Sequence, residues 1–422
     1  MGKFRFIHGA DLHLDSPFKG LRSAAPALGQ RLWRASFTAF ANLVSLAIEE
    51  GVDFVLLAGD LFDEQDRSLQ AQVLMRKELA RLSRAGIETF IVHGNHDHWG
   101  GWRAQLDWPE GVHIFPPGEV GGRGVYREGR ELARIYGISY PRAAVTDNYA
   151  RLFRRDPAAP YAIALLHANV EGQSGHDNYA PCTLAELKQA GFDYWALGHI
   201  HTRRVLHPEH PVILYPGNTQ GRSFRETGAR GCYLVEVAEG RTSYRFCPTH
   251  DVAWLEETLS IADLSTEEEL LTALQELVEE GTSRDPAGLA IVRLILTGRG
   301  PLHTSLQRRG YIEGLLEELR DATGAGSAGI WVDAIELATG APWDLAALEG
   351  EESLVGDFLR LCREAGEDPE LMQELALALD ELYGHNRARR YLDAPGADQL
   401  RALLAEAREM GLDLLLGGGG DK

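Results

Sequence analysis

The chain is short of positive charge, of cysteine and of long apolar runs, and each shortage removes a class of protein. Lys and Arg number 42 against 62 Asp and Glu, a formal net charge of -20 over 422 residues. That argues against a partner held by bulk charge, because affinity for a phosphate backbone comes largely from basic side chains. The four cysteines, Cys182, Cys232, Cys247 and Cys362, form no CxxC pair and no dense framework, which fits reduced, buried thiols in a cytoplasm. No apolar stretch approaches the ~20 residues of a membrane span, and Met1-Gly-Lys-Phe-Arg-Phe6 runs directly into a strand, leaving no room for a signal peptide. The expectation is a soluble, cytoplasmic chain with no membrane partner.

The missing positive charge is unevenly distributed. Residues 1–248 hold 28 Lys and Arg against 27 Asp and Glu, whereas residues 249–422 hold 14 against 35. The acidity therefore belongs to the C-terminal part. The N-terminal part is near neutral, so its own charge does not exclude an anionic ligand. The length predicts two or three domains.

What is present is a repeated pattern of buried strands that stop at polar residues. Phe90-Ile-Val-His-Gly-Asn-His-Asp-His98 ends an apolar run at Gly94 and follows it at once with Asn95, His96 and Asp97. Phe4–Ile7 precedes Asp11 and His13, Val52–Ala58 precedes Asp60, Tyr161–Leu166 precedes His167, and Phe192–Leu197 precedes His199 and His201. In α/β sheets ligands sit at strand ends, so five such ends predict one rim on which residues distant in sequence converge. Helical spacing over Gln30–Glu50 and Leu69–Arg84 alternates with these runs and predicts parallel strands with helical crossovers. Short strands from Val112 onward, split by Gly and Pro, predict hairpins and a mixed sheet. Residues 251–342 read as a small α/β module with a helix over Thr304–Ala322, and the remainder as helices, Glu352–Ala365, Pro369–Gly384 and Ala397–Gly411, before a Gly-rich tail.

The residues at the rim are Asp11, His13, Asp60, Asn95, His96, His167, His199 and His201. Any one has an ordinary explanation, a turn cap for Asp11 or a surface imidazole for His13, but five strand ends carrying ligand-type residues do not. Carboxylates, imidazoles and an amide without thiolate suit Mn, Fe or Zn. So many donors are too many for one ion and enough for two if one carboxylate bridges, and Asp60 is the central candidate. Two such ions can hold a bridging hydroxide and neutralise a phosphoryl group. His8 and His93, on buried strands, read as satisfied core residues, and His98, His176 and His207 as loop residues.

Asp11-x-His13, Gly59-Asp60-x-x-Asp63, Gly94-Asn95-His96-Asp97, His167 and Gly198-His199-x-His201 resemble, in order, the five motifs of the calcineurin-like metallophosphoesterases. The opening Ile7-His-Gly-Ala-Asp-Leu-His-Leu-Asp-Ser-Pro-Phe18, with Ala58-Gly-Asp-Leu-Phe-Asp63, is similar to the DNA-repair exonuclease branch, the SbcD-like nuclease subunits, and within it the bacterial YhaO-type proteins. The resemblance implies an α/β fold, a four-layer-type α/β/α sandwich with mixed sheets, plus a small α/β cap and a helical C-terminal tail. It implies a catalytic domain over 1–248, a capping domain over 249–342, a helical region over 343–416 and a flexible tail over 417–422. One metal would be held by Asp11, His13, Asp60 and His201, and the second by Asp60, Asn95, His167 and His199, with Mn the expected ion. His96 would contact the scissile phosphate or protonate the leaving oxygen, with Asp97 orienting it. Asp63 stands where purple-acid-type relatives carry a Tyr ligand, and reads as a turn cap. Arg222 and Ser223, or Arg203 and Arg204, are candidates for backbone contact.

The expected function is a two-metal phosphodiesterase, a DNA exonuclease or endonuclease of DNA repair. Its expected partners are DNA, an SMC-like ABC ATPase and a second copy of the chain. The alternatives are a cyclic-nucleotide phosphodiesterase or small-molecule phosphatase on the same metals, and a scaffold in which the metals only hold the fold.

Overall fold

Four strands are buried at every position rather than at alternate ones, Phe54–Ala58, Ala162–His167, Tyr194–Gly198 and Val212–Tyr215, which is how a strand covered on both faces reads. Around them the computed structural model builds two six-stranded sheets. It describes residues 2–16, 26–63, 68–101, 104, 106–172, 177–283, 285, 287–323, 329–384 and 395–416. In chain order the elements are β1 (Phe4–Gly9), α1 (Pro26–Glu49), β2 (Phe54–Ala58), α2 (Leu69–Arg84), β3 (Glu88–Val92), β4 (Val112–Ile114), β5 (Gly121–Arg127), β6 (Arg130–Gly137), β7 (Ala162–His167), α3 (Leu184–Gln189), β8 (Tyr194–Gly198), β9 (Arg204–His207), β10 (Val212–Tyr215), β11 (Gly231–Ala238) and β12 (Arg241–Pro248). There follow β13 (Val252–Ser260), α4 (Glu267–Ser283), β14 (Leu289–Arg299), α5 (His303–Leu306), α6 (Tyr311–Ala322), β15 (Ile330–Gly340), α7 (Leu345–Gly350), α8 (Leu354–Glu367), α9 (Pro369–Gly384) and α10 (Ala397–Leu416).

The first sheet has the order β12-β11-β1-β2-β3-β4 and the second β5-β6-β7-β8-β10-β9. Both are mixed: β1, β2, β3 and β4 run parallel, as do β6, β7, β8 and β10, and the flanking pairs are antiparallel. Alternate residues of each strand face opposite ways. Phe4, Phe6, Phe54, Leu56 and Phe90 meet Ile135, Ile163, Leu165, Tyr194 and Leu214 between the sheets. Ile7, Val55, Leu57 and Ile91 point outward onto α1 and α2, and Leu166, Trp195 and Leu197 pack with Leu187 of α3. The result is the expected four-layer sandwich. Helix starts follow local chemistry: the Ser68 hydroxyl accepts from Ala71 N at the head of α2, and Thr183 and Glu186 form a reciprocal capping box on α3.

A three-stranded sheet, β13-β14-β15, packs its Val252, Trp254, Leu289, Ile291 and Trp331 against Leu28, Leu32 and Ala35 of α1. Except for the last two residues of β14 and of β15, it falls in the same compact unit as the two large sheets, which comprises 1–260, 265–297 and 305–338. The second unit comprises 261–264, 298–304 and 339–422, and α8 packs there on α7, α9 and α10. The helix expected over Thr304–Ala322 is two helices, α5 and α6, because Gly310 takes φ 80 at the head of α6, a conformation open to glycine and costly in a helix interior. The expected flexible tail at 417–422 lies outside the described residues. No described helix is long and apolar enough to cross a membrane.

His8 ties the two sheets together inside the apolar layer. Its Nδ1 lies 3.0 Å from the Tyr194 hydroxyl and its Nε2 3.1 Å from the Leu197 carbonyl oxygen, so Nε2–H donates and Nδ1 accepts. Burial pushes its pKa down to about 3, the Leu197 carbonyl opposing. A depressed imidazole pKa means that the unfolded chain binds the proton first, so the stability His8 confers is complete above its ordinary value of 6.5 and is lost as pH falls towards 3. Urea denaturation of the metal-free chain and His8→Gln should therefore differ most near pH 7, by about 1–3 kcal/mol. The gap should close as the pH is lowered to 4. A gap constant with pH would show that His8 does not titrate in this window.

Candidate metal centre

The loops after β1 and β2 run side by side: Asp11 N donates to the Gly59 carbonyl at 3.1 Å, His13 N to that of Asp60 at 3.0 Å and Leu14 N to that of Leu61 at 2.9 Å. This continues the parallel ladder beyond the strands and turns Asp11, His13 and Asp60 to one place. Asp11, His13, Asp60 and His199 take φ 51, 42, 50 and 103, left-handed backbone that costs a non-glycine residue about 1–3 kcal/mol and persists where the surroundings over-determine it. Two glycines make room. A Cβ on Gly59, at φ 87, would stand 2.5 Å from His167 Nδ1, and one on Gly94 would collide with Asp60 Oδ1.

Three groups of donor atoms lie within 4.8 Å of one another: Asp11 with His13 and His201, Asp60 with His167 and His199, and, sharing His13 with the first, His13 with Asp63 and His96. In the first, His13 Nε2 and His201 Nε2 are 3.1 Å apart. His13 Nδ1 lies 2.6 Å from Asp63 Oδ1, and His201 Nδ1 2.7 Å from Glu226 Oε1. Carboxylates accept, so both Nδ1 atoms carry the hydrogen and both Nε2 lone pairs face the same point. Opposed lone pairs at that distance repel unless a cation joins them, and nitrogen–metal bonds of about 2.1 Å let one ion reach both. In the second cluster His167 Nδ1 donates to the Ala58 carbonyl at 2.9 Å, which turns Nε2 towards Asn95 Oδ1 at 3.0 Å and Asp60 Oδ2 at 3.3 Å. His199 Nε2 donates to the Asp177 carbonyl at 2.8 Å, leaving Nδ1 for the cluster. Asp60 Oδ2 lies between the clusters, 3.3 Å from His167 Nε2 and 4.0 Å from His13 Nε2.

The electrostatics fit cations. Asp11, His13, Asp60 and His167 are at most 1% exposed. Burial raises Asp11 to about 8, against the pull of His167 and with the push of Asp60. Burial works against Asp60 too, but His167 holds it well below the usual carboxylate range. For His167 burial is outweighed by Asp60 and Asp11, which raise it to about 9. A buried carboxylate that draws in a proton at neutral pH, beside an imidazole that keeps one, marks surroundings in which a divalent ion supplies the missing charge. Burial pushes His201 down to about 4 and lowers His13 as well, favouring the neutral imidazole that binds metal. The oxygen and nitrogen donors, all without thiolate, thus fit two divalent ions.

His96 sits at the rim with its side chain 44% exposed, its Nδ1 3.2 Å from Asp63 Oδ1 and its backbone N donating to Asp60 Oδ1 at 2.9 Å. Asp97, expected to orient it, does something else. It is fully buried, accepts from Gly94 N at 2.7 Å and from Leu61 N at 3.0 Å, and pairs with His93 Nδ1 at 2.9 Å. Its carboxylate closes the turn that places Asn95 and His96 and ties it to the loop after β2, because a side chain two bonds from the backbone reaches the near amides first. Asp63, read as a turn cap, instead lies behind both His13 and His96.

Arg222, a candidate for backbone contact, directs its guanidinium to Glu226 at 3.2 Å, Asp63 at 3.5 Å and Ser16 at 3.2 Å. Glu226 went unnoticed in the sequence. The available signal was the opposite charge four residues after Arg222 in a Gly-rich loop. Arg203 and Arg204 are exposed, and the Arg203 guanidinium rests over the Phe246 ring at 4.1 Å. His207 closes β9 rather than lying in a loop, and His176 lies outside the described residues.

The chain belongs to the calcineurin-like metallophosphoesterases, phosphoester hydrolases whose fold implies two divalent metals. The family model for calcineurin-like phosphoesterase matches residues 4–203, and that for the middle domain of metallophosphoesterase YhaO matches residues 254–340. The chain is 42% identical over 328 residues to the uncharacterized metallophosphoesterase YhaO of Bacillus subtilis, covering 77% of this chain and 79% of that protein. It is 30% identical over 221 residues to the DNA double-strand break repair protein Mre11 of Sulfurisphaera tokodaii, covering 49% of this chain and 51% of that protein.

Replacing Asp97 by Ala leaves the Gly94 and Leu61 amides and His93 without their shared acceptor, and should lower stability by about 2–4 kcal/mol. His96→Ala, at an exposed position, should stay within about 0.5 kcal/mol of the parent. Chemical denaturation of the two variants side by side checks the contrast. Equal effects would return Asp97 to the role of partner to His96.

Proposed function

We propose that the chain is a two-metal phosphodiesterase that cleaves DNA, with Mn as its working ion. The observation that carries this reading is the pair of donor clusters Asp11–His13–His201 and Asp60–His167–His199, with Asp60 Oδ2 of the second 4.0 Å from His13 Nε2 of the first and the half-exposed His96 beside them. Asp11, His13, Asp60 and His201 would hold one ion, and Asp60, Asn95, His167 and His199 the other. Bound there, the ions supply charge stabilisation to a phosphoryl group and make water nucleophilic at neutral pH. His96 Nδ1 lies 3.2 Å from Asp63 Oδ1, and in the imidazolium form the other ring nitrogen would donate to a phosphate oxygen or protonate the leaving oxygen. The Asp60 acceptor on the His96 amide keeps that imidazole in register with the donor clusters.

DNA as the substrate is supported by the named repair function of the Mre11 relative and by the exposed Arg203 and Arg204 just beyond His201. A small-molecule phosphatase would leave the acidic C-terminal helices without a task. Those helices expose Leu354, Leu361, Met410 and Leu414 at 71%, 59%, 66% and 79%, and are assigned here to a protein partner, an SMC-like ATPase or a second copy of the chain.

End-labelled single- and double-stranded DNA, bis-p-nitrophenyl phosphate and cyclic nucleotides, each offered with Mn or Mg, should separate the readings. Cleavage of DNA with Mn is expected, and turnover confined to the small esters would overturn the DNA assignment. His96→Ala should lower turnover roughly 10²- to 10⁴-fold with both ions retained, and loss of an ion would make His96 a ligand. Asp60→Asn should weaken both ions, whereas a protein that keeps two tightly bound metals would remove Asp60 from the shared position.

A further inference from the structure

The two clusters differ in what stands behind their imidazoles. Behind His167 and His199 are the main-chain carbonyls of Ala58 and Asp177. Behind His13 and His201 are the carboxylates of Asp63 and Glu226, at 2.6 and 2.7 Å. Either acceptor fixes a tautomer and a ring plane. A carboxylate also draws the Nδ1 proton towards itself and makes Nε2 a stronger donor. The side chains of Asp63 and Glu226 are only 14% and 13% exposed, so their charge is weakly screened. Arg222 stands against both and offsets one of the two charges.

Glu226 is itself held on every side. Its Oε2 accepts from Asn218 Nδ2 at 3.0 Å and from Arg222 N at 2.8 Å. Arg230 donates to the carbonyl of His201 at 2.6 Å and to Asn218 Oδ1 at 3.0 Å. The loop that carries Glu226 is gripped by the three-stranded sheet. Trp254 Nε1 of β13 donates to the Gly221 carbonyl at 2.8 Å, and the Phe224 ring lies edge-on to Trp254 at 4.9 Å and under the Arg293 guanidinium of β14 at 3.9 Å. A loop this constrained serves the precise placement of one carboxylate.

We propose that Glu226 and Asp63 are positioning residues that make the Asp11–His13–His201 site the tighter of the two, and that the small sheet sets Glu226 in place through Phe224. The proposal rests on the two-ion reading of the site and not on DNA as substrate. It follows that this site fills first and empties last, and that the Asp60–His167–His199 site follows the ambient concentration of metal.

The test is calorimetric titration of the metal-free full chain with Mn²⁺, followed by the manganese resonance signal of the one-ion and two-ion forms. Two binding events at least about 10-fold apart are expected, and Glu226→Gln, which keeps an acceptor but removes its charge, and Asp63→Asn should each weaken the tighter event by about 10- to 100-fold. The weaker event should move by less than about 3-fold, since its imidazoles keep their carbonyl acceptors. Arg293→Ala, which touches no donor, should weaken the same event as Glu226→Gln. Asp63→Asn lies outside the loop and Arg293→Ala leaves the loop sequence intact, so failure of one variant to fold leaves the others to decide. Indistinguishable events in the parent, equal weakening of both events, or no change in the variants would each overturn the proposal. Uptake of a single ion by the parent would instead overturn the two-ion reading beneath it.

Discussion

The bond from His167 Nδ1 to the Ala58 carbonyl joins the end of β7 in one sheet to the end of β2 in the other. The rest of the centre depends on that junction. Gly198 stands against the same carbonyl so closely that no Cβ fits between, and the next residue, His199, gives its amide to Asp11 of the opposite sheet at 3.0 Å. The Asp11–His13–His201 and Asp60–His167–His199 clusters each draw on both sheets: Asp11 and His13 come from one and His201 from the other, Asp60 from one and His167 and His199 from the other. The sandwich core between Phe54, Phe90, Ile163 and Leu165 therefore does more than exclude water. By fixing the separation of the two sheets it fixes the spacing of the donors.

Much of this was legible from apolar runs that break off at polar residues. Each of the five strands expected to end at ligand-type residues does so, because a strand covered on both faces must be uniformly apolar and its first polar side chains mark where it emerges. What the runs do not carry is how strands are shared out. A single rim was expected, whereas β1, β2 and β3 lie in one sheet and β7 and β8 in another, and nothing in periodicity distinguishes one large sheet from two facing ones. The residues behind the imidazoles were the least legible. Asp63 and Glu226 look like ordinary loop carboxylates until the fold brings His13 and His201 to them, and Asp97 looks like the partner of its neighbour His96 until the backbone turns it to Gly94 and Leu61. Residue type and spacing announce donors that touch a ligand; they are silent about the groups that hold those donors still.

Charge follows the same division of labour. Asp11 and Asp60 are nearly unexposed in surroundings that disfavour two carboxylates, and positive charge from His167 relieves Asp60 while Asp11 stays high. Asp63 and Glu226, in contrast, are held well below the usual range against the pull of burial, by His13 for the first and by His201 and Arg222 for the second. Asp11 is the frustrated carboxylate of the four, while Asp60 and the outer pair are satisfied. A centre arranged this way keeps its scaffold charged over a wide pH range and leaves its appetite for cations at the middle.

The left-handed backbone at Asp11, His13, Asp60 and His199 also bears on how such a chain can change over generations. Glycine accepts that conformation at no steric cost, so a glycine at any of these four positions would relieve strain while deleting a donor. Most substitutions at buried positions weaken a fold and are removed on that account. At Asp11 and Asp60 that relief has an opposing cost, because each carboxylate accepts a main-chain amide, that of His199 and that of His96, which a glycine would leave without its acceptor. The backbone and the side chain therefore pull such a substitution in opposite directions, and the strain persists where the side chain wins.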